Sequence, residues 1–201
     1  MKNWIENEVV LQGRSVGLHP LHPGHLPDLE RVAKDKRIWE FYTFDGSQPE
    51  ILNRVYQSAL ADRDLGHQFP FIIWHNNDQQ IIGSTRFLDL QPAHKKLEIG
   101  GTWLHPDYWA TEVNLECKLL LLTYCFENLQ AVRVQLKTDE NNWRSRKAIE
   151  KIGGRFEGIL RNDMLRADGS KRNSAYFSIT DDEWTDRKAD LIKLYRSKIA
   201  F

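Results

Sequence analysis

The stretch from Gln68 to Leu129 limits the fold most. Gln68–His75 (QFPFIIWH), Ile81–Leu90 and Leu97–His105 are apolar runs rich in β-branched and aromatic residues, the first two parted by the polar turn Asn76-Asn77-Asp78. They predict a three-stranded meander. Asn114–Leu129 then reads as a helix that is almost wholly apolar from Leu119 to Phe126, and so buried on most sides. Val132–Thr138 follows as a strand. A meander passing into such a strand–helix–strand unit implies a mixed sheet with helices on both faces.

The rest of the chain extends this plan. Val9–His19 reads as an opening strand broken by glycines, and Pro23–Lys34 and Pro49–Asp64 carry apolar residues at helical spacing. Beyond the centre come a helix over Asn142–Ile152 stopped by Gly153-Gly154, strands at Phe156–Leu160 and Asn173–Thr180, and a helix over Asp182–Lys198 capped by Thr180 or Asp181. The predicted architecture is α/β (α+β) with a mixed central sheet of about seven strands. No repeat or Gly/Ser/Pro-rich linker divides it, so residues 1–201 are expected to form one domain, with 182–201 as a helical extension.

Composition narrows the function classes. Apolar residues make up 41% and charged residues 28%, which excludes low-complexity and disordered chains. Lys+Arg 28 balance Asp+Glu 28, so no basic excess points to nucleic acid, nor does net charge favour a strongly acidic or basic partner. No apolar run approaches the ~20 residues of a membrane span, and Met1–Val10 lacks the apolar core of a signal peptide. Cys117 and Cys125 on one helix would sit roughly 12 Å apart, beyond disulfide reach. A reduced, cytoplasmic monomer or homodimer is expected. His19, His22 and His25 recur every three residues, but Pro20 and Pro23 interrupt a common face and no Cys or carboxylate completes a ligand set, so no metal is expected.

The stretch with most chemical content is Leu97–Leu122: a strand ends at His105-Pro106, a short loop follows, and a buried helix begins near Asn114. The first N–H groups of a helix are unpaired and its dipole end is positive, so this geometry suits a phosphate-bearing ligand as well as it suits an Asn-capped turn. The run Trp103-Leu104-His105-Pro106-Asp107-Tyr108-Trp109, together with Asn142-x-x-Ser145-x-x-x-Ile149-Glu150-Lys151-x-Gly153, resembles the GNAT-superfamily acyltransferases. The similarity is to their RimJ/RimL-like branch of ribosomal-protein N-acetyltransferases and extends over roughly residues 9–180.

That resemblance implies acetyl-coenzyme A held where two central parallel strands, Leu97–His105 and Val132–Thr138, splay apart. It implies that the Leu104 N–H polarises the thioester carbonyl beside Trp103, and that the backbone of Trp109, Ala110, Thr111, Glu112, Val113 and Asn114 cradles the diphosphate. Asn142 would touch the pantetheine arm, and Ser145 would help protonate the departing thiolate. Glu98, on the strand entering the splay, is the candidate general base for a primary amine, from a small molecule or a peptide. Glu98 could equally pair with Arg86 or Lys137, and Ser145 could be a first-turn helix residue with only local bonds.

Two positions depart from the family pattern. Ile149 stands where many members carry a proton-donating Tyr. Glu112 stands where the loop pattern (Arg/Gln)-x-x-Gly-x-(Gly/Ala) has glycine, and a carboxylate about 4–5 Å from a phosphate would cost on the order of 3–4 kcal/mol. The alternative function is therefore a GNAT-like binding module with weak or no coenzyme A binding. Arg144, Arg146 and Lys147 could meet nucleotide phosphates or form a solvated face. The Trp39–Phe44 cluster could line an acceptor pocket or belong to the core. In the last helix Leu191, Leu194, Tyr195 and Ile199 form a stripe expected to pack on its own domain.

Overall fold

The computed structural model describes residues 4–199. Met1–Asn3 and Ala200–Phe201, which the one-domain expectation includes, lie outside the described residues. Eight strands form one sheet: β1 Leu11–Gln12, β2 Val16–Pro20, β3 Phe69–His75, β4 Gln80–Gln91, β5 Lys96–Leu104, β6 Arg133–Asp139, β7 Arg155–Leu165 and β8 Lys171–Thr180. Their order is β1-β2-β3-β4-β5-β6-β8-β7. Neighbours are antiparallel except β5 and β6, which run parallel.

The opening segment accounts for the difference between about seven expected strands and eight observed. Val9–His19 is not one broken strand but a hairpin: Leu11 pairs with Leu18, and the Gly13 N–H donates to the Val16 carbonyl at 2.8 Å. The turn is held from outside. Glu116 accepts from the N–H groups of Arg14, Ser15 and Val16 at 2.6, 2.8 and 3.1 Å, and from the Tyr195 hydroxyl at 2.7 Å.

Five α-helices cover the sheet: α1 Leu26–Val32, α2 Pro49–Asp64, α3 Val113–Thr123, α4 Trp143–Lys151 and α5 Asp181–Ile199. The helix expected from Pro23 begins as a 3-10 turn, Pro23–His25, and becomes α-helical only at Leu26. The long apolar helix leaves α geometry after Thr123 and closes with a π-type turn, Tyr124–Asn128. The period of two along β3 divides the core between the faces. Phe69, Phe71 and Ile73 pack with Leu121 of α3, Ile149 of α4 and Leu191 of α5, whereas Ile72 joins Leu29 of α1 and Tyr56 of α2. Leu191, Leu194, Tyr195 and Ile199 all pack on the first of these clusters, as the stripe predicts.

One irregularity sets up the site. Between Ser84↔Trp103 and Arg86↔Gly100, β4 advances two residues while β5 advances three. The extra residue is a bulge at Gly100-Gly101, and Gly101 takes φ +55, a conformation that a side chain strains. On the other edge of β5, pairing with β6 covers only Lys96↔Arg133, Leu97↔Val134 and Glu98↔Gln135. Beyond Glu98 the two parallel strands diverge, while β6 stays paired with β8 out to Asp139↔Ser174.

Candidate active site

The divergence of β5 and β6 opens into a cleft of about 690 Å³. Its floor is β5 from Glu98 to Leu104 and β6 from Leu136 to Thr138, and the β5–α3 loop, the Phe41–Phe44 segment and α4 also line it. Leu104 lies on this floor with its backbone turned inward. The neighbouring His105 N–H bonds to Ile82 of β4 at 2.8 Å, and alternation along a strand turns the Leu104 amide the other way, toward the opening. The Leu104 carbonyl is taken by the Trp109 indole N–H at 2.9 Å. The Trp103 side chain is directed away: its ring is buried and its indole N–H reaches the Tyr56 hydroxyl at 2.9 Å.

The β5–α3 loop is shaped for an anion. Ala110 takes φ +62, and Thr111 Oγ1 donates to the Tyr108 carbonyl at 2.8 Å and accepts from the Val113 N–H at 3.3 Å. Among the described residues, the N–H groups of Thr111, Glu112, Asn114 and Leu115 make no hydrogen bond within the chain. Such a nest of free donors at a helix N-terminus binds phosphate-like groups. Cations approach it. Lys198 of α5 bonds the Ala110 carbonyl at 3.4 Å, and the Arg144 guanidinium lies 4.0 Å from the Trp109 ring centroid.

Glu112 does not intrude on this nest. Its backbone forms the helix cap, and its carboxylate accepts from the Ser15 hydroxyl at 3.3 Å. Neither Glu112 nor Val113 lines the cleft. The left-handed residue of the loop is Ala110, two places earlier than the glycine of the family pattern. The Glu112 carboxylate is turned to Ser15 of the opening hairpin, outside the lining of the cleft.

On the α4 wall Asn142 caps the helix, its Oδ1 accepting from the Ser145 N–H at 3.0 Å. Both residues line the cleft, and the Ser145 hydroxyl has no hydrogen-bond partner among the described residues. Arg146 turns away, onto the Trp143 ring at 4.2 Å, so of the three basic residues suggested there only Arg144 faces the cleft. Glu98, 3% exposed, lies at the last paired position before the opening. Its Oε2 accepts from Gln135 Nε2 at 2.9 Å and lies 3.5 Å from Lys137 Nζ, so the strand partner is Lys137 rather than Arg86. The aromatic cluster divides: Trp39 is buried in the core, while Phe41, Tyr42 and Phe44 line the cleft. Among the described residues no cluster of three or more His, Cys, Asp or Glu could hold a metal. His25 instead accepts from the His22 N–H at 3.2 Å.

Three cleft residues escape the motif reading. Lys118 of α3 is buried, and its ammonium donates to Thr102 Oγ1 at 2.7 Å. Burial lowers its pKa to about 8. In sequence it comes just before the apolar run that begins at Leu119, and nothing there marks it as facing an opening. Arg86 of β4 and Arg172 of β8 are each 9% exposed and also line the cleft. Their signal is positional only, and it depends on the bulge and on strand order. Together the lining carries Arg86, Lys118, Lys137, Arg144, Lys151, Arg172 and Lys198 against the single carboxylate Glu98. Zero net charge conceals a strongly cationic cleft.

Comparison with known proteins agrees with this geometry. Residues 15–155 match the family model described as Acetyltransferase (GNAT) domain. YdaF of Bacillus subtilis (strain 168), named as a ribosomal N-acetyltransferase, is 30% identical over 111 residues, covering 55% of this chain and 60% of YdaF. The match therefore spans less than two thirds of that relative. An acetyltransferase structure from T. thermophilus is 32% identical and superposes with a TM-score of 0.83, over 94% of this chain and 98% of the other. RimJ of Mycobacterium smegmatis, solved in complex with CoA-disulfide, shares the fold with a TM-score of 0.75 at 22% identity, over 92% and 91% of the two chains. A splayed mixed sheet, a helix mouth with free donors and a family match across most of the chain lead to one conclusion: this protein belongs to the GNAT acetyltransferases.

Proposed function

We propose that the chain, acting as one domain, transfers an acetyl group from acetyl-coenzyme A directly to a primary amine, with both substrates bound at once. The observation that carries this is the cleft itself: parallel strands unpaired beyond Glu98 and Gln135, leading to a helix mouth with free N–H groups. When bound, acetyl-coenzyme A supplies an activated thioester. The unpaired edges of β5 and β6 offer backbone partners to its pantetheine amides. The free N–H groups of Thr111, Asn114 and Leu115, with Arg144 and Lys198 nearby, are suited to its phosphates.

The inward Leu104 N–H is placed to polarise the thioester carbonyl, a role worth about 3–4 kcal/mol per donor in acyl transfer. Ser145, with its hydroxyl free of protein partners, can hand a proton to the departing thiolate. Glu98, held by Lys137 and Gln135, can take the proton of the incoming amine directly or through water. Both cysteines are buried, and burial raises both thiols, that of Cys117 to about 12, so neither is a suitable acyl carrier. The likeness to YdaF and to the RimJ/RimL branch supports a protein or peptide N-terminus as acceptor, in the cytoplasm.

Calorimetric titration with acetyl-coenzyme A, followed by detection of free thiol on adding amines, tests this. Micromolar binding and amine-dependent thiol release are expected; no binding at millimolar concentration overturns the reading and leaves a fold that serves another ligand.

A further inference from the structure

On β4, beside the bulge that borders the opening, lies a cation without a counter-ion. This is Arg86, its stem pressed on Gly101, where an added Cβ would lie 2.9 Å from Arg86 Cγ and Nε. Its guanidinium sits 5.2 Å from the Tyr56 ring centroid, and one terminal nitrogen donates to Gln68 Oε1 at 3.2 Å. The buried Nε–H has no partner, and among the described residues no carboxylate lies within 4.0 Å of the group. Arg172 approaches from β8, also with an unpartnered Nε, 3.8 Å from Asp139, which Arg166 already holds at 2.5 Å. The Tyr42 hydroxyl bonds the Thr102 carbonyl at 2.7 Å, and both arginines lie near enough to oppose the rise in its pKa that burial causes. Arg86 and Arg172 both line the cleft, as do Phe41 and Phe44.

A guanidinium withdrawn from water with neither a carboxylate nor a full set of acceptors is costly to bury, a cost that an anionic ligand in the same pocket offsets. Glu98 does not serve: it is turned to Lys137 and Gln135. Phosphates have their own donors at the helix mouth. Arginine's planar fork matches a carboxylate with two parallel hydrogen bonds.

We propose that this part of the cleft is the acceptor subsite and that it takes an amine carrying a carboxylate, with Arg86 as the anchor and Arg172 as a second cation. The inference rests on the acetyl-transfer reading only for the word acceptor. The carboxylate is either that of a small amino acid or an acidic side chain at the start of a polypeptide. A cationic polyamine is excluded by the same charges.

The test is direct binding, measured with and without coenzyme A, so that loss of the acetyl-transfer reading shows separately as failure of coenzyme A to bind. The probes are the tripeptide amides Asp-Ala-Tyr and Asn-Ala-Tyr, free aspartate, and spermidine. The expected result is that the aspartyl peptide or free aspartate binds at least ~30-fold more tightly than the asparaginyl peptide, a single charge-assisted pair in a desolvated site. Preference for the peptide over free aspartate assigns a polypeptide acceptor; the reverse assigns a small one. Arg86→Met should bring the aspartyl peptide down to the level of the asparaginyl one, and Arg86→Lys should retain part of the difference. Thermal unfolding of both variants separates a lost contact from a lost fold. Equal binding of the Asp and Asn peptides with free aspartate no tighter than either, absence of binding by all probes, or preference for spermidine overturns the proposal.

Discussion

Lys118 is the residue whose environment departs furthest from what its sequence neighbours suggest. Its pKa is about 8 in the folded protein against an ordinary value of 10.5, because burial disfavours the ammonium. Below pH 8 both folded and unfolded chains carry the proton, and the fold bears the full cost of burying the charge. Between pH 8 and 10.5 the unfolded chain holds the proton that the folded one has released, so this group's contribution to stability rises with pH. Lys118→Met should therefore be more stable than the parent at pH 7 by on the order of 2 kcal/mol, an advantage that shrinks as pH approaches 10. Denaturant titrations of both proteins at pH 7 and pH 10 measure it; a constant difference would mean that the ammonium is not under strain. For Glu98→Gln the expected result is about a 10- to 100-fold loss of kcat/KM at pH 7, recovering as rising pH supplies neutral amine. A pH profile parallel to the parent's removes Glu98 from proton transfer. Glu112→Gly should change coenzyme A affinity less than threefold in calorimetry, since the carboxylate faces Ser15; a tenfold gain would place that charge against the diphosphate. At this scale Leu104, Asn142 and Ser145, which the family resemblance singles out, do line the opening. Lys118, Arg86 and Arg172 were not legible, because spacing carries no record of which strand edges open.

At the level of elements, the meander, the apolar helix and the parallel crossover follow from hydrophobic period, and they occur within a few residues of where the pattern puts them. The opening hairpin does not, since its turn is fixed by a side chain about a hundred positions away. Glu116 joins β1–β2 to α3 and, through Tyr195, to α5. Removing it leaves three N–H groups and a buried phenol without an acceptor. Glu116→Ala should cost about 3–5 kcal/mol in chemical denaturation, and Tyr195→Phe about 1 kcal/mol. A loss below 1 kcal/mol for Glu116→Ala would show that water replaces the carboxylate and that the hairpin stands alone. The bulge was equally hidden: Gly100-Gly101 signals a break, but only the register with β4 shows that the extra residue re-aims the end of β5.

Across the molecule, balanced totals of acidic and basic residues say nothing about where the charges lie. Seven cations face one opening and a single carboxylate answers them. Affinity for a polyanionic nucleotide should fall at least tenfold between 50 and 500 mM salt, as expected when exposed charges beyond a Debye length are screened. A salt-independent affinity, read by calorimetry, would mean that backbone donors alone hold the phosphates.

The sheet is, in effect, two panels with a short seam, since β5 and β6 share only the register from Lys96 to Glu98. A guest wedged into the gap adds the rungs that the chain itself omits, acting as a rivet between the panels. Saturation at a hundredfold over Kd would raise stability by about 2.7 kcal/mol, or roughly 5–10 °C in Tm for a chain of this size. Amide exchange should slow most along the far ends of β5 and β6, so that the molecule reaches its full mechanical unity only when loaded.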